Sequence, residues 1–196
     1  MTMKTKVESH FPHHTVSDFN SDIYIADYTE QTKNDTTKKG LEISITKPTD
    51  IRSFLIRNGK SILFHAVLFD KNSFVNVTTG SSLTHCESTC FSSAEYDRGP
   101  WILFLELKYC QPHSKHQKVN IEKAKSQLVD TYKHYKDQGI INNKQQCYLV
   151  VSFPFFSIPF PNFLTTQAEV KKMKFKRVIF RGVNELKIKN EYKLEV

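Results

Sequence analysis

No apolar run in this 196-residue sequence approaches the roughly 20 residues needed to cross a bilayer as a helix. The longest, Ile62 to Phe69 and Trp101 to Leu105, stop well short, so no membrane-spanning helix is expected. The lysine-bearing start, Met1 to Glu8, is followed by His, Pro and Asp instead of the apolar core of a signal peptide, which points to a cytoplasmic protein. Cysteine is scarce. Cys86, Cys90, Cys110 and Cys147 stand in or beside strand-like segments and read as free thiols of a reducing compartment. Paired knuckles of two cysteines separated by two residues are absent. The loose groups His85, Cys86, Cys90 and Cys110, His113, His116 read as core and surface residues before they read as a zinc site. No internal repeat is present. Acidic residues are the minority, 20 against 28 basic ones, and the net charge of +8 favours a polyanionic partner through counterion release. Much of that excess lies in Lys171, Lys172, Lys174, Lys176, Arg177 and Arg181, for which a solvated face is the plain alternative.

The length suits one ordinary domain. Residues 1–40 are polar apart from Ile23 to Tyr28 and read as a loosely ordered N-terminal arm that carries His10, His13 and His14; residues 41–196 read as the domain. Within it, Leu41 to Thr46 alternates as a strand, and the break at Lys47-Pro48-Thr49 predicts a short helix over Asp50 to Arg57. Ser61 to Asp70 and Ser73 to Thr78 predict a hairpin. A second strand pair joins Leu83 to Ser92 with Trp101 to Tyr109, the latter apolar on both faces and therefore central. Asn120 to Gln138 has helical spacing of Ile121, Ala124, Leu128, Thr131, Tyr132 and Tyr135, with Gly139 as the stop. Cys147 to Phe153 reads as a buried strand, Pro154 to Phe163 as a loop, and Val178 to Phe180 and Glu185 to Ile188 as edge strands.

Four Glu-x-Lys tripeptides occur, but Glu169-Val170-Lys171, Glu185-Leu186-Lys187 and Glu191-Tyr192-Lys193 lie in polar surroundings. Only Glu106-Leu107-Lys108 ends a strongly apolar strand, where alternation puts Glu106 and Lys108 on one face. Burying such a pair costs several kcal/mol unless it is paired, hydrogen-bonded or bound to a metal. A divalent metal needs hard oxygen ligands, and phosphodiester hydrolysis needs an activated water and a cation beside the phosphate, which one carboxylate and one lysine on a shared face can help supply; a second acid is then required. With the turn centred between Tyr96 and Asp97, Glu106 faces Glu87. Asp97, the alternative, sits in the turn at the far end of the strand and ranks below it.

An acid on one strand, Glu-x-Lys at the end of the next, an amphipathic helix and a further strand resemble the order of elements in the PD-(D/E)xK nuclease superfamily, over roughly residues 61–153. The segment Trp101 to Cys110 is similar to the corresponding strand of small bacterial members. The resemblance implies a restriction-endonuclease-like α/β fold, a mixed central sheet flanked by helices. It also implies magnesium or manganese held by Glu87 and Glu106, with Lys108 positioning water or stabilising charge. Some branches add a glutamine and then a tyrosine on the next helix, which Gln127 and Tyr132 resemble. The chain departs from the pattern in having glutamate as its first acid and one extra residue between Gln127 and Tyr132.

The resemblance thus implies a metal-dependent nuclease, with a deoxyribonuclease acting on DNA as the favoured form, either as a homodimer or as a subunit of a larger complex. The alternative is a catalytically inactive module of the same fold that binds nucleic acid or a partner protein, for which the phenylalanines of Phe153 to Phe163 offer a contact surface. The plain alternative for Glu106 and Lys108 is a surface ion pair at a strand end, worth under about 1 kcal/mol. For Gln127 it is a solvent-facing helix residue, and for Tyr132 and Tyr135 a place in the core.

Overall fold

The computed structural model describes residues 2–29, 40–70, 72–75, 78–112, 114–156 and 177–195. It is mixed α/β, with two mixed sheets and two α-helices among the described residues. The helices are α1 (Met3–His10) and α2 (Gln117–Asp137). The first strands are β1 (Ser17–Phe19), β2 (Ile23–Asp27), β3 (Leu41–Ser44), β4 (Phe54–Arg57), β5 (Phe64–Leu68) and β6 (Ser88–Ser92). They are followed by β7 (Trp101–Leu107), β8 (Gln146–Ser152), β9 (Val178–Gly182), β10 (Glu185–Asn190) and β11 (Lys193–Glu195). One sheet runs β1-β5-β6-β7-β8-β9 and the other β11-β10-β4-β2-β3.

The unbroken apolar character of β7 follows from its place between two cores. Ile102 and Phe104 face α1 and α2 together with Leu149 and Val151 of β8. Trp101, Leu103, Leu105 and Leu107 face Ile23, Ile25, Phe54, Ile56 and Leu186 of the second sheet. Among the described residues the central sheet is thus covered by helices on one face only, and the other face is covered by a sheet, not by the helices that the sequence suggests. A strand sandwiched in this way cannot alternate polar and apolar residues.

β6 and β7 pair antiparallel with Ser88 opposite Leu105, Thr89 opposite Phe104 and Cys90 opposite Leu103, the register that a turn between Tyr96 and Asp97 predicts. The connection is a 3-10 turn, Tyr96–Arg98, closed by Gly99 at φ 73°. A Cβ at Gly99 would lie 2.5 Å from the Lys144 carbonyl oxygen, so only glycine fits. β7 and β8 run parallel, joined through α2, and β9 continues the parallel set.

Several local expectations give way to long-range pairing. The helix expected over Asp50 to Arg57 is instead β4, whose Phe54 and Ile56 are buried while it pairs antiparallel with β2 and parallel with β10. Burial of two alternating side chains against two neighbouring strands outweighs a local capping signal. β5 pairs with β6 and β1, and with none of the described residues of the expected strand Ser73 to Thr78. There the Asp70 carboxylate accepts from the Asn72 amide and the Ser73 hydroxyl, which closes a tight local turn. The N-terminal residues are also more than an arm: Met3, Val7 and Phe11 enter the helix-side core, and Ile23 and Ile25 enter the core between the sheets. α2 begins at Gln117, three residues before the expected start. β10 lies inside its sheet, between β11 and β4, and not at an edge. Of the basic run, Arg177 and Arg181 are described, while Lys171, Lys172, Lys174 and Lys176 lie outside the described residues, as do His113 and Ser157 to Phe163 of the expected loop. No helix among the described residues is long and apolar enough to cross a membrane.

Candidate functional site

The carboxyl ends of parallel strands open at one edge of a sheet, where side chains escape the core without leaving the rigid frame. Glu106 stands at that edge of β7, on the same face as Ile102 and Phe104 and so toward the helices. It is fully buried, at 0% exposure. Lys108 follows it, anchored to β8 by its amide donating to the Ser152 carbonyl at 2.9 Å, with its side chain 15% exposed. The Lys108 ammonium donates to Glu106 Oε1. Glu87, just before β6, is brought alongside by the strand register. Its amide donates to Glu106 Oε2 at 3.1 Å, and its own Oε2 accepts from the Leu107 amide at 2.8 Å.

Two carboxylates and one ammonium therefore share a desolvated corner. Burial pushes Glu106 up to about 7, against the pull of Lys108. Burial first, and then the charge of Glu106, push Glu87 well above the usual carboxylate range. Burial works to lower the pKa of Lys108, but Glu106 and then Glu87 outweigh it, so its ammonium is held above the ordinary lysine value. Burial is thus the main reason that the acids resist ionisation, and for Glu87 the neighbouring charge of Glu106 adds to it.

Gln127 of α2 reaches the cluster indirectly. Its Nε2 donates to the His85 carbonyl at 2.9 Å, and its Oε1 is buried without a hydrogen-bond partner among the described residues. The Gln127 carbonyl accepts from the Thr131 hydroxyl at 2.8 Å, and the Thr131 oxygen accepts from the Cys86 amide at 2.7 Å. α2 thereby holds the His85-Cys86-Glu87 segment at two points. Tyr132 is buried edge-on to Phe104, a core position. Asp97 lies in the 3-10 turn at the opposite end of β7, 82% exposed and 3.5 Å from the Lys144 ammonium, so it is not brought to Glu106.

Asp27, which no sequence motif marks, lies close enough to act on the cluster. It ends β2 in the second sheet, and its charge acts on Glu87, Lys108 and Tyr109. The Asp27 amide donates to the Tyr109 hydroxyl at 3.3 Å, which ties β2 to the residue after Lys108. Its one local signal is its place at the end of the apolar patch Ile23 to Tyr28.

Among the described residues no group of three or more His, Cys, Asp or Glu could hold a metal ion. Glu87 and Glu106 make a donor pair, and one or two carboxylates are what magnesium takes when water and a phosphate complete its octahedron. A divalent cation there would offset the charge of the two carboxylates when both are ionised, with Glu106 Oε1 already accepting from Lys108 and Oε2 from the Glu87 amide. The four cysteines are free thiols; Cys86 and Cys147 are buried in the helix-side core and Cys90 between the sheets. Comparison of the chain with protein-family models, with curated proteins and with solved structures returned no significant match.

Proposed function

We propose that this protein is a metal-dependent nuclease that hydrolyses phosphodiester bonds, with DNA as the favoured substrate. The observation that carries this reading is the pairing of a fully buried carboxylate, Glu106, with a half-buried one, Glu87, beside Lys108 at the carboxyl end of β7. Such a cluster is expensive for a fold to keep, and clusters of this kind concentrate at functional sites. The strand order adds support. The antiparallel run β5-β6-β7, the helix α2 and the parallel strand β8 are similar in order to the elements of the PD-(D/E)xK superfamily, and this likeness supports the reading.

In this reading Glu87 and Glu106 hold magnesium or manganese, which supplies Lewis-acid stabilisation of the phosphate and an acidified water. Lys108, charged and held by Glu106, sits where it can offset the negative charge that develops on the phosphoryl oxygens. Gln127 is a positioning residue that holds the segment bearing Glu87.

The deciding experiment is cleavage of supercoiled plasmid, linear duplex and single-stranded DNA and RNA with magnesium, manganese or EDTA, run beside Glu106→Gln and Lys108→Ala. Metal-dependent cutting by the wild type that both folded variants lose by at least about 100-fold is the expected result. The second reading, a binding module without cleavage, draws on the close Lys108–Glu106 contact and the absence of a third metal-binding side chain among the described residues. It predicts salt-dependent binding of nucleic acid with no cutting under any metal.

A further inference from the structure

The site described above uses one face of the sheet at the carboxyl end of β7, yet the same edge carries a second feature on the opposite face. A groove of about 860 Å³ lies between residues 47–53 and Pro154-Phe155, just past the end of β8, and extends to Asn184, just past β9. Tyr109 links it to the site. This residue follows Lys108, and its side chain departs to the other face, where its hydroxyl donates to the Arg52 carbonyl at 2.6 Å and its ring meets Phe155 at 5.6 Å. Parallel strands deliver their ligands to the crevice outside their carboxyl ends, and β7, β8 and β9 all end here.

The groove has cations to spare. Arg57 is neutralised by Glu185 through two bonds of 2.8 and 3.0 Å, and Asp50 accepts from the Tyr28 hydroxyl at 3.0 Å. Arg52 and Lys47 have no carboxylate within ion-pair distance among the described residues. Arg52 is nonetheless held in place: its guanidinium lies over the Phe155 ring at 5.8 Å and donates to the Pro154 and Phe155 carbonyls, each at 3.4 Å. A guanidinium oriented by carbonyls and a ring keeps its full charge for an outside anion. Tyr24 adds a second aromatic ring to the lining.

We propose that this groove binds an unpaired nucleic-acid strand running on from the phosphodiester at Glu87, Glu106 and Lys108, with Arg52 and Lys47 on its phosphates and Tyr24 and Phe155 beside its bases. Cations with interleaved rings suit a single strand, whose bases are free to stack, whereas the bases of a duplex turn inward. The proposal rests on the phosphodiester reading for what lies at the carboxylates, and the experiment separates the two.

Binding of fluorescent single-stranded and duplex oligonucleotides is measured across a salt series for the full chain carrying Glu106→Gln, with and without Lys47→Gln plus Arg52→Gln. Both added substitutions fall on exposed residues. Single-strand affinity should fall about 10-fold or more at low salt, and the salt slope should drop by about 0.7 for each phosphate that the groove no longer neutralises. Restoring charge with Arg52→Lys should recover part of the affinity, and duplex binding should change little. Unchanged single-strand affinity and slope, or an equal weakening on duplex, overturns the groove. If wild-type protein cuts, and Lys47→Gln plus Arg52→Gln introduced with Glu106 intact leaves binding and cutting unaltered, the groove fails and the nuclease stands. If groove substitutions abolish binding by a protein that never cuts, the groove stands and hydrolysis fails.

Discussion

Glu87 and Glu106 latch each other's strands: the Glu87 amide donates to Glu106 Oε2 at 3.1 Å, and the Glu87 carboxylate accepts from the amide of Leu107, the next residue after Glu106, at 2.8 Å. Neither acid can swing away from the other without giving up a backbone hydrogen bond in a buried setting. Two like charges are thus held together by the register of β6 and β7, and most of the behaviour expected of this protein follows from that constraint.

The fold should weaken as pH rises through neutrality. Glu106 has a folded pKa near 7, above its ordinary 4.5, so the native state binds more protons between those values. Its stabilising contribution is fully present below about pH 4.5 and is lost as pH rises through about 7, and Glu87, shifted the same way, adds to the effect. Denaturant unfolding at about pH 5 and about pH 8 should differ by an amount on the order of 2–3 kcal/mol, with at least half of the difference gone in Glu106→Gln. Equal slopes in the two proteins would contradict the burial of an ionisable Glu106.

Divalent metal should reverse that loss. A cation that binds the ionised pair stabilises the native state by about 2.7 kcal/mol at a hundred times its dissociation constant. Thermal unfolding should therefore show a magnesium- or manganese-dependent rise in Tm that is larger at about pH 8 than at about pH 5 and absent from the double variant Glu87→Gln, Glu106→Gln. A rise that survives in the double variant places the ion elsewhere.

Gln127→Leu removes the bond to the His85 carbonyl while also deleting an amide oxygen that is buried without a partner among the described residues. The two effects on stability oppose each other, and the net change should stay within about 1 kcal/mol. If Gln127 positions Glu87, the variant should bind metal more weakly, read by the shrunken Tm rise, at near-normal stability in metal-free buffer. Undiminished metal binding would reduce Gln127 to a helix residue with no part in the site.

The N-terminal helix should loosen in mild acid. His10 of α1 and His134 of α2 meet through their Nε2 atoms at 2.9 Å, an arrangement that needs at least one neutral ring. Burial lowers the pKa of both, and His10 further lowers that of His134. Their contribution is present above the ordinary histidine value of 6.5 and is lost as pH falls through the lower folded values. Amide hydrogen exchange, corrected for intrinsic rates, should show α1 losing protection between about pH 7 and about pH 5 ahead of β7, and His10→Gln should blunt the change. Protection of α1 that tracks β7 at every pH contradicts it.

What the sequence determined is what short-range pattern encodes. Alternation along Trp101 to Lys108 sets Glu106 and Lys108 on one face, and the turn at Tyr96 and Asp97 sets Glu87 opposite, because strand periodicity and a short connection leave few registers open. The helical spacing of Ala124, Leu128 and Tyr135 likewise marks α2. Only the tertiary structure decided which partner covers each face. Leu55 becomes a strand residue by pairing with Glu185 and Tyr24, far away in the chain, and Asp27 is tied to Tyr109, next to Lys108, from a short apolar patch in an otherwise polar segment. These choices turn on burial gained between distant segments, which exceeds the small local preferences for helix, strand or coil and leaves no mark in any one stretch of residues.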